Sequence, residues 1–420
     1  MRASREFRKG VHGLGPGLIT GVADDDPSGI STYTIAGATF GYQLLWLSLL
    51  TFPLNVAVQS ICARIGLVSG RGLAANLQQR GGRRWLVPVV ALLAIANTVN
   101  IGADIGAIAA AIELLVGIPT IWLVLPVGLA IAFTEVLVPY PTFARVLKLL
   151  CFAVFAYVIG AFFASPDWSA AARGTFAPSL PLDREGIATI VAIFGTTISP
   201  YLFFWQASEE VEEEEAIGLM PKDLTPKVTR GLIHAARIDI AAGMATASIG
   251  FYFVVLTAAA ALFTTGGHDI KTASDAAEAL RPLAGRGATI LFAAGIIGVG
   301  LLAVPVLAGS TAYAISEVFG WREGLNETFR RAPQFYGVIA VSTLLGIVLT
   351  ISPISEMQAL FFAAIVNGTI SPIILVFVML AARDRNLLGD FTAGPVALVL
   401  GWLTTALMGG AALALLVTLR

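Results

Sequence analysis

The segment Gly17-Leu-Ile-Thr-Gly-Val-Ala-Asp24-Asp25-Asp26-Pro27-Ser-Gly29-Ile-Ser-Thr32 sets three consecutive carboxylates, a proline and a glycine inside an apolar stretch. A charge near the centre of a bilayer costs about 3 kcal/mol on insertion scales. Pro27 cannot donate a backbone hydrogen bond, and its ring clashes with the preceding turn of a helix. Such irregular backbone is tolerated in a membrane only where it faces protein or a water-filled cavity. The segment therefore predicts a broken helix inside a helical bundle.

The rest of the chain has the composition of a membrane protein. Of its 420 residues, 57% are hydrophobic and 13% are charged, and the mean hydropathy is +0.83. A soluble domain carries roughly 25% charged residues. The composition therefore excludes a cytosolic enzyme and a nucleic-acid-binding protein.

Apolar stretches long enough to cross a bilayer, which takes about 20 residues, recur along the chain. We predict eleven of them, at 14–38, 42–66, 85–113, 120–138, 142–164, 186–208, 232–264, 287–318, 334–352, 356–381 and 394–418. Short loops rich in Arg, Gly and Pro join them, and no separate soluble domain is predicted.

The Lys and Arg residues predict the orientation of these spans. With the N-terminus inside, twenty of them fall in cytoplasmic segments and six on the opposite side, as the positive-inside rule requires. We therefore expect a cytoplasmic N-terminus and a C-terminus outside. The N-terminal segment lacks the uninterrupted apolar core of a cleavable signal peptide, and the Ala-, Gly- and Arg-rich composition favours a bacterial inner membrane.

A second break is predicted in the sixth span, at Phe194-Gly-Thr196-Thr-Ile-Ser199-Pro200-Tyr201, around Gly195 and Pro200. Four spans separate the two breaks, as expected for two inverted repeats that each open with a discontinuous helix. The predicted fold is an all-α, LeuT-type bundle in a single transmembrane domain. It has repeat one at 14–164, repeat two at 186–381 and an extra helix at 394–418. A pair of ordinary proline kinks is the alternative.

The groups at the breaks favour a hard cation. Asp26 offers a carboxylate and the unwound turns offer carbonyls, and Mg²⁺, Mn²⁺ and Ca²⁺ prefer oxygen ligands. No Cys or His, which would suit softer ions, lies near either break. We therefore predict a transported divalent metal ion as the substrate, and no cofactor.

The first span resembles the Nramp family of divalent-metal transporters. Gly15-Pro16, Asp26-Pro27, Gly37, Phe40-Gly41-Tyr42 and Leu45-Trp46 follow the first-helix pattern of that family without gaps. The numbers of spans and repeats also match, so the resemblance covers nearly the whole chain. It is specific in its motifs only in the first helix.

The resemblance implies a metal site with two altered ligands. The metal-binding Asp of the family falls on Asp26, its Asn on Gly29, its Met on Ser199, and its carbonyl donor on Thr196. Exchanging a thioether for a hydroxyl makes the site harder and removes a preference for Mn²⁺ over Mg²⁺. The Nramp-related magnesium transporters also lack this Met, so Mn²⁺ and Mg²⁺ are both candidates. Asp25, or Asp24, is a candidate additional ligand.

Further polar residues are candidates for a proton path or the ion cavity. The resemblance sets Asp104 where the family has a third-helix Glu, and Glu135 near another acidic position of the family. Asn367 or Thr369 is the candidate tenth-helix residue, and Tyr201 stands where the family has His. Hydrogen bonds between helices are the alternative role for Asp104 and Asn367.

Proton coupling is left open by one departure from the family. The third-helix Asp of the family falls on Ile101. Proton symport and uniport down the membrane potential therefore both stay possible. The run Glu209–Glu215 at the end of the sixth span is interpreted as a solvated helix end, with a cation-attracting patch as the alternative.

Two other functions are alternatives to metal transport. A transporter of the same architecture for an amino acid or other organic substrate is disfavoured because three aspartates would repel a carboxylate. A membrane metalloprotease needs a His-Glu-x-x-His motif, which three scattered histidines cannot supply. We therefore predict a non-enzyme whose partners are a divalent metal ion and the lipid bilayer, together with protons if transport is a symport, and with no nucleic acid.

Overall fold

The computed structural model describes residues 15–138, 140–216, 228–263, 281–352 and 356–418. Within these ranges the regular structure is helical, without a β-strand. The helices that precede the second break are α1 (Pro16–Ala23), α2 (Pro27–Phe40), α3 (Trp46–Ser69), α4 (Leu73–Gly81), α5 (Arg83–Val116), α6 (Thr120–Leu137), α7 (Tyr140–Leu150), α8 (Phe155–Phe163), α9 (Trp168–Phe176) and α10 (Arg184–Thr197).

The helices that follow the second break complete the bundle. They are α11 (Pro200–Ala216), α12 (Arg230–Ala261), α13 (Arg281–Phe319), α14 (Pro333–Ile351), α15 (Glu356–Ala381), α16 (Arg385–Leu388) and α17 (Pro395–Thr418). The all-α fold class predicted from the sequence is confirmed.

The predicted number of eleven spans is not confirmed. Nine helices in the described part of the chain are long and apolar enough to cross a membrane, or ten if the bent pair Val366–Ala381 and Arg385–Phe391 counts as one span. The first predicted span differs because it consists of helices of 8 and 14 residues with three aspartates between them.

The first break is set by the residues that the sequence singled out. Helix α1 ends at Ala23, and α2 begins at Pro27 with Asp26 as its N-cap. The Asp26 side chain accepts a hydrogen bond from the Gly29 N–H at 2.7 Å, and a proline at the first helical position loses no intrahelical bond. The same residues thus end one half-helix and start the next.

The second break lies at the proline end of the predicted interval, Gly195 to Pro200. Helix α10 continues through Gly195 to Thr197, and α11 begins at Pro200, so the interruption is at Ile198 and Ser199. Gly195 does not break the helix because a glycine costs only about 1 kcal/mol in a helix interior. Pro200, with no N–H to donate, occupies the first turn of a new helix.

The two halves of the first broken helix pack against α12 at the centre of the bundle. A side chain at Gly21 would collide with the backbone of Gly243 on α12, so α1 and α12 cross at backbone contact. The outer faces of the bundle carry large exposed apolar side chains, among them Phe133, Val348 and Val399. Exposed apolar surface on this scale suits a bilayer rather than water.

Candidate functional site

The two helix breaks meet at Gly29. A Cβ added there would lie 3.2 Å from the Asp24 carbonyl oxygen, 3.3 Å from Thr196 Oγ1 and 3.5 Å from Asp26 Oδ1. Because glycine has no side chain, helix α10 approaches the first turn of α2 closely enough that the Thr196 hydroxyl and the Asp26 carboxylate flank the same point. An asparagine at position 29 would displace that hydroxyl.

Asp26 is buried at this meeting point, with 2% of its surface exposed. Its Oδ1 accepts hydrogen bonds from the Gly29 N–H at 2.7 Å and from Ser28 Oγ at 2.5 Å. Both donors belong to the first turn of α2, whose N-terminal N–H groups favour a negative charge. The carboxylate is therefore held in a fixed orientation by its own helix.

Asn55 of α3 ties the two breaks together. Its Nδ2 donates to the Thr197 carbonyl at 2.9 Å and to Asp24 Oδ2 at 3.4 Å. Asp24 is fully buried, so this side chain helps to hold a carboxylate and a helix-terminal carbonyl together. Sequence reasoning missed Asn55, because nothing in the local pattern connects it with residues 31 and 142 positions away.

Ser199 and Thr196 form one hydrogen-bonded turn. Ser199 Oγ donates to the Thr196 carbonyl at 2.8 Å and to the Gly195 carbonyl at 3.1 Å. A carbonyl oxygen has two lone pairs, so the Thr196 carbonyl keeps one for a further ligand. Thr196 thus offers a hydroxyl and a carbonyl at the site, where the sequence predicted only the carbonyl.

Tyr201, in the first turn of α11, connects the second break to the end of α1. Its hydroxyl donates to the Ala23 carbonyl at 2.9 Å, one of the carbonyls that the end of α1 leaves without a partner in the helix. Tyr201 is buried. The prediction that it belongs to the ion cavity or a proton path stays a prediction.

The Asp25 carboxylate lies against helix α12. A side chain at Gly250 of α12 would collide with Asp25 Oδ2, so that oxygen lies against the backbone of α12. Both oxygens of the Asp25 carboxylate are buried without a hydrogen-bond partner in the described part of the chain. The role of Asp25 as an additional metal ligand stays a prediction, and in this conformation its carboxylate faces a different helix.

The three aspartates therefore do not form one carboxylate cluster. Among the described residues no group of three or more His, Cys, Asp or Glu side chains could hold a metal ion. The donor set at the breaks is one carboxylate with hydroxyls and carbonyls. Such oxygen donors suit Mg²⁺ and Mn²⁺.

The other predicted residues are buried on separate helices. Asp104 on α5, Glu135 on α6 and Asn367 on α15 are at most 4% exposed. The two Glu135 carboxylate oxygens have no hydrogen-bond partner within the described residues. Although Glu135 is two residues from the end of α6, it does not reach the surface.

Asp239 of α12 is a polar contact that sequence reasoning missed. Its Oδ1 accepts from the Gly15 N–H at 2.7 Å and its Oδ2 from the Gly17 N–H at 2.6 Å. The carboxylate thus caps the N-terminus of α1 from a neighbouring helix. Its position within a predicted span was the available signal, since acids inside membrane helices are rarely incidental.

The acidic run at the end of α11 is not a solvated helix end, so that interpretation was wrong. Glu209, Glu210, Glu212 and Glu214 are at most 5% exposed. Glu212 accepts from the Leu325 N–H at 2.7 Å, as well as from Tyr313 and Asn326. The burial is tertiary, because the loop after α13 folds over the end of α11.

Comparison with known proteins gives a consistent result. The family model described as "Natural resistance-associated macrophage protein-like" (Nramp) matches residues 17–418. The "Divalent metal cation transporter MntH" of Aeromonas hydrophila subsp. hydrophila is 27% identical over 404 residues, which cover 94% of this chain and 93% of that protein.

Solved structures share the fold. The structure of the Eremococcus coleocola manganese transporter in complex with an aromatic bis-isothiourea substituted compound aligns with a TM-score of 0.77 at 18% identity, covering 95% of this chain and 85% of that one. MhsT in complex with L-phenylalanine aligns with a TM-score of 0.58 at 14% identity, covering 97% of each chain. These likenesses confirm the predicted LeuT-type architecture with two broken helices.

Proposed function

Because the chain belongs to the Nramp family, we propose that it is a secondary transporter that imports a divalent metal cation by alternating access. The family consists of transporters, so the chain is not assigned an enzymatic activity. One relative, MntH of Aeromonas hydrophila, is a divalent metal cation transporter, and one structural relative is a manganese transporter.

The observation that carries the proposal is the meeting of the two breaks at Asp26. The Asp26 carboxylate is buried, with 2% exposure. Its Oδ1 and the Thr196 hydroxyl both lie within 3.5 Å of the point that a Cβ at Gly29 would occupy. Ser199 donates a hydrogen bond to the Thr196 carbonyl in the same turn. We propose that Asp26, Thr196 and Ser199 contact the ion, that Gly29 permits their approach, and that Asp25 joins when the breaks rearrange.

The donor chemistry supports a Mn²⁺ or Mg²⁺ substrate. Each proposed donor is an oxygen, and no thioether or imidazole contributes to discrimination against hard ions. The Thr196 hydroxyl occupies the space that a side chain at position 29 would fill. We propose that it supplies the oxygen that the glycine at position 29 cannot.

The remaining assignments follow from the same premise. Asp104, Glu135, Asn367 and Tyr201 are proposed for a proton path or the ion cavity, since buried acids within membrane helices mark such routes. We propose a bacterial inner membrane with the N-terminus in the cytoplasm and the C-terminus outside, on the distribution of Lys and Arg. The two repeats, 14–164 and 186–381, would move against each other.

The test is uptake into proteoliposomes. Purified protein should take up Mn²⁺ or Mg²⁺, measured with Ca²⁺ and a labelled amino acid in parallel, with and without an inward proton gradient. Stimulation by the gradient supports symport, and uptake driven by membrane potential alone supports uniport. Accumulation of the amino acid without any metal ion would overturn the proposal in favour of an organic-substrate transporter.

A further inference from the structure

An apolar groove runs along the outer face of the bundle, and its lining residues belong to neither helix break. It has a volume of about 750 Å³ and lies between α5, the end of α13 and α14. Its lining is almost entirely apolar, and Val341, Leu345 and Val348 on its rim are more than half exposed. The groove is therefore open on the side that the bilayer would cover.

The shape of the groove follows the direction of a membrane-crossing helix. Its lining on α14 extends from Gln334 to Leu349, which at 1.5 Å per residue is about 22 Å. One leaflet of the hydrocarbon core is about 15 Å deep. The groove is thus long enough for an extended acyl chain that enters from the membrane surface.

Two arginines lie near one end of the groove, next to its lining residues rather than among them. Trp321 lines this end and stacks on Phe319, with ring centroids 5.1 Å apart, and the Arg83 guanidinium lies 4.8 Å from the centroid of the Phe319 ring. Arg330 precedes the lining residue Gln334 by four positions and is exposed. Neither arginine forms an ion pair within the described residues, whereas Arg322 and Arg331 pair with Glu327.

We propose that this groove binds an anionic glycerophospholipid, with one acyl chain along α14 and the phosphate head group at Arg83 and Arg330. An apolar slot with two unpaired arginines near one end favours a lipid of net negative charge over a zwitterionic lipid, whose cationic group offsets the charge of its phosphate. Basic pockets between membrane helices recognise anionic head groups in this way. The proposal is independent of the transported ion.

The test uses Trp321 as a reporter. The full-length protein is reconstituted in phosphatidylcholine bilayers that contain a brominated lipid, which is either brominated phosphatidylglycerol or brominated phosphatidylcholine. Bromine on the acyl chains quenches nearby tryptophans. The signal that Trp321→Phe removes is assigned to Trp321. We expect stronger quenching of this signal by brominated phosphatidylglycerol than by brominated phosphatidylcholine at the same mole fraction.

Variants separate the two parts of the site. Arg83→Gln and Arg330→Gln should each weaken the preference for the anionic lipid about fivefold, and Arg83→Lys should retain most of it. Gly337→Phe should fill the groove and lower quenching by both lipids, because a Cβ at Gly337 meets no neighbouring atom. Gly410→Phe, at an equally open position on α17, is the control and should change nothing.

Equal quenching of Trp321 by both lipid classes would overturn the proposal, because it would show ordinary boundary lipid. If neither lipid quenches Trp321 and light scattering shows a dimer, the proposal is also overturned. That result would show that a second copy of the chain occupies the groove. An anionic preference that survives both arginine substitutions would contradict the assigned head-group position.

Discussion

Two buried acidic runs in this chain have different partners. In Glu209–Glu215 the carboxylate of Glu212 is fully engaged, accepting bonds from the loop after α13, and Glu210 accepts from Gln206. In Asp24–Asp26, both oxygens of Asp25 and one of Asp24 have no hydrogen-bond partner in the described part of the chain. Burial alone therefore does not identify a cation site. Hydrogen-bond satisfaction does not separate the two runs either, because Glu214 Oε2 is also buried without a partner among the described residues. What distinguishes Asp26 is its position at the start of one half-helix, next to the end of another.

The largest expected effect separates Asp26 from the glutamates. Asp26→Asn keeps the size of the side chain and removes its charge, so we expect metal uptake into proteoliposomes to fall to the level of empty liposomes. Glu214→Gln is the matched control, since Glu214 is also buried, with 2% exposure, and it should transport normally. Equal loss in both variants would show that buried charge in general, rather than Asp26, supports transport.

The next largest effect is expected at Asp239. Like Glu212, it accepts hydrogen bonds from backbone N–H groups, but these belong to the start of the first broken helix. The Asn amide has one acceptor oxygen, and its NH2 group would face one of the two N–H donors of Gly15 and Gly17, so Asp239→Asn should loosen α1. Cys151 reports this, because its Sγ lies 3.9 Å from the Leu18 carbonyl oxygen and is buried. In a Cys62→Ala background, Asp239→Asn should speed maleimide labelling of Cys151.

An unchanged labelling rate would contradict the claim that the hydrogen bonds of Asp239 hold α1 in place. Labelling of the parent Cys62→Ala protein, with Asp239 intact, sets the reference rate. Melting temperature in detergent should be measured on both proteins, because global unfolding would also expose the thiol.

A smaller effect is expected at Glu212, where the role is structural. In Glu212→Gln one acceptor oxygen becomes an amide donor that faces the N–H groups of Leu325 and Asn326. Leaving such a buried donor unsatisfied costs about 1–3 kcal/mol, so the melting temperature should fall while uptake per folded protein is retained. Glu215→Gln, on the exposed side of the same helix, should change neither quantity.

The smallest effect is a pH-dependent gain at Glu323, in the loop after α13. Burial, followed by the neighbouring carboxylates of Glu317, Glu212 and Glu215, raises the pKa of Glu323 to about 10. Because this pKa lies above the unfolded value of about 4.3, the folded state loses stability as the pH rises from that value towards 10. Glu323→Gln should therefore raise the melting temperature, and more at about pH 9 than at about pH 6. A gain that is independent of pH would contradict this explanation.

The sequence predicted the fold better than the contacts of the site. Helix positions could be read directly because long apolar runs leave few alternatives in a membrane, and Asp26-Pro27 determined the first break as an N-cap followed by a proline. The second break was predicted at Gly195 and Pro200 and lies at the proline end of that interval, because a sequence does not show whether the surrounding helix tolerates a glycine. The family resemblance predicted that Thr196 and Ser199 bind the ion together with Asp26, and that role stays a prediction.

The missed contacts all join residues that are distant in the chain. Asn55, Asp239 and the loop that buries Glu212 act on partners 31 to 224 positions away. No local period or cap signature encodes such pairs. The acidic run was interpreted as solvated because its composition is that of an exposed helix end, and only the tertiary packing of the loop reverses this.

The central claim is that the ion binds where the two breaks meet and not at the buried glutamates. Anomalous diffraction at the manganese absorption edge, from crystals of the protein grown with Mn²⁺, tests it most directly. Our account predicts an anomalous peak within coordination distance, about 2.2 Å, of an Asp26 carboxylate oxygen and near the Thr196 carbonyl or hydroxyl. A peak among Glu209–Glu215, with none at Asp26, would contradict it.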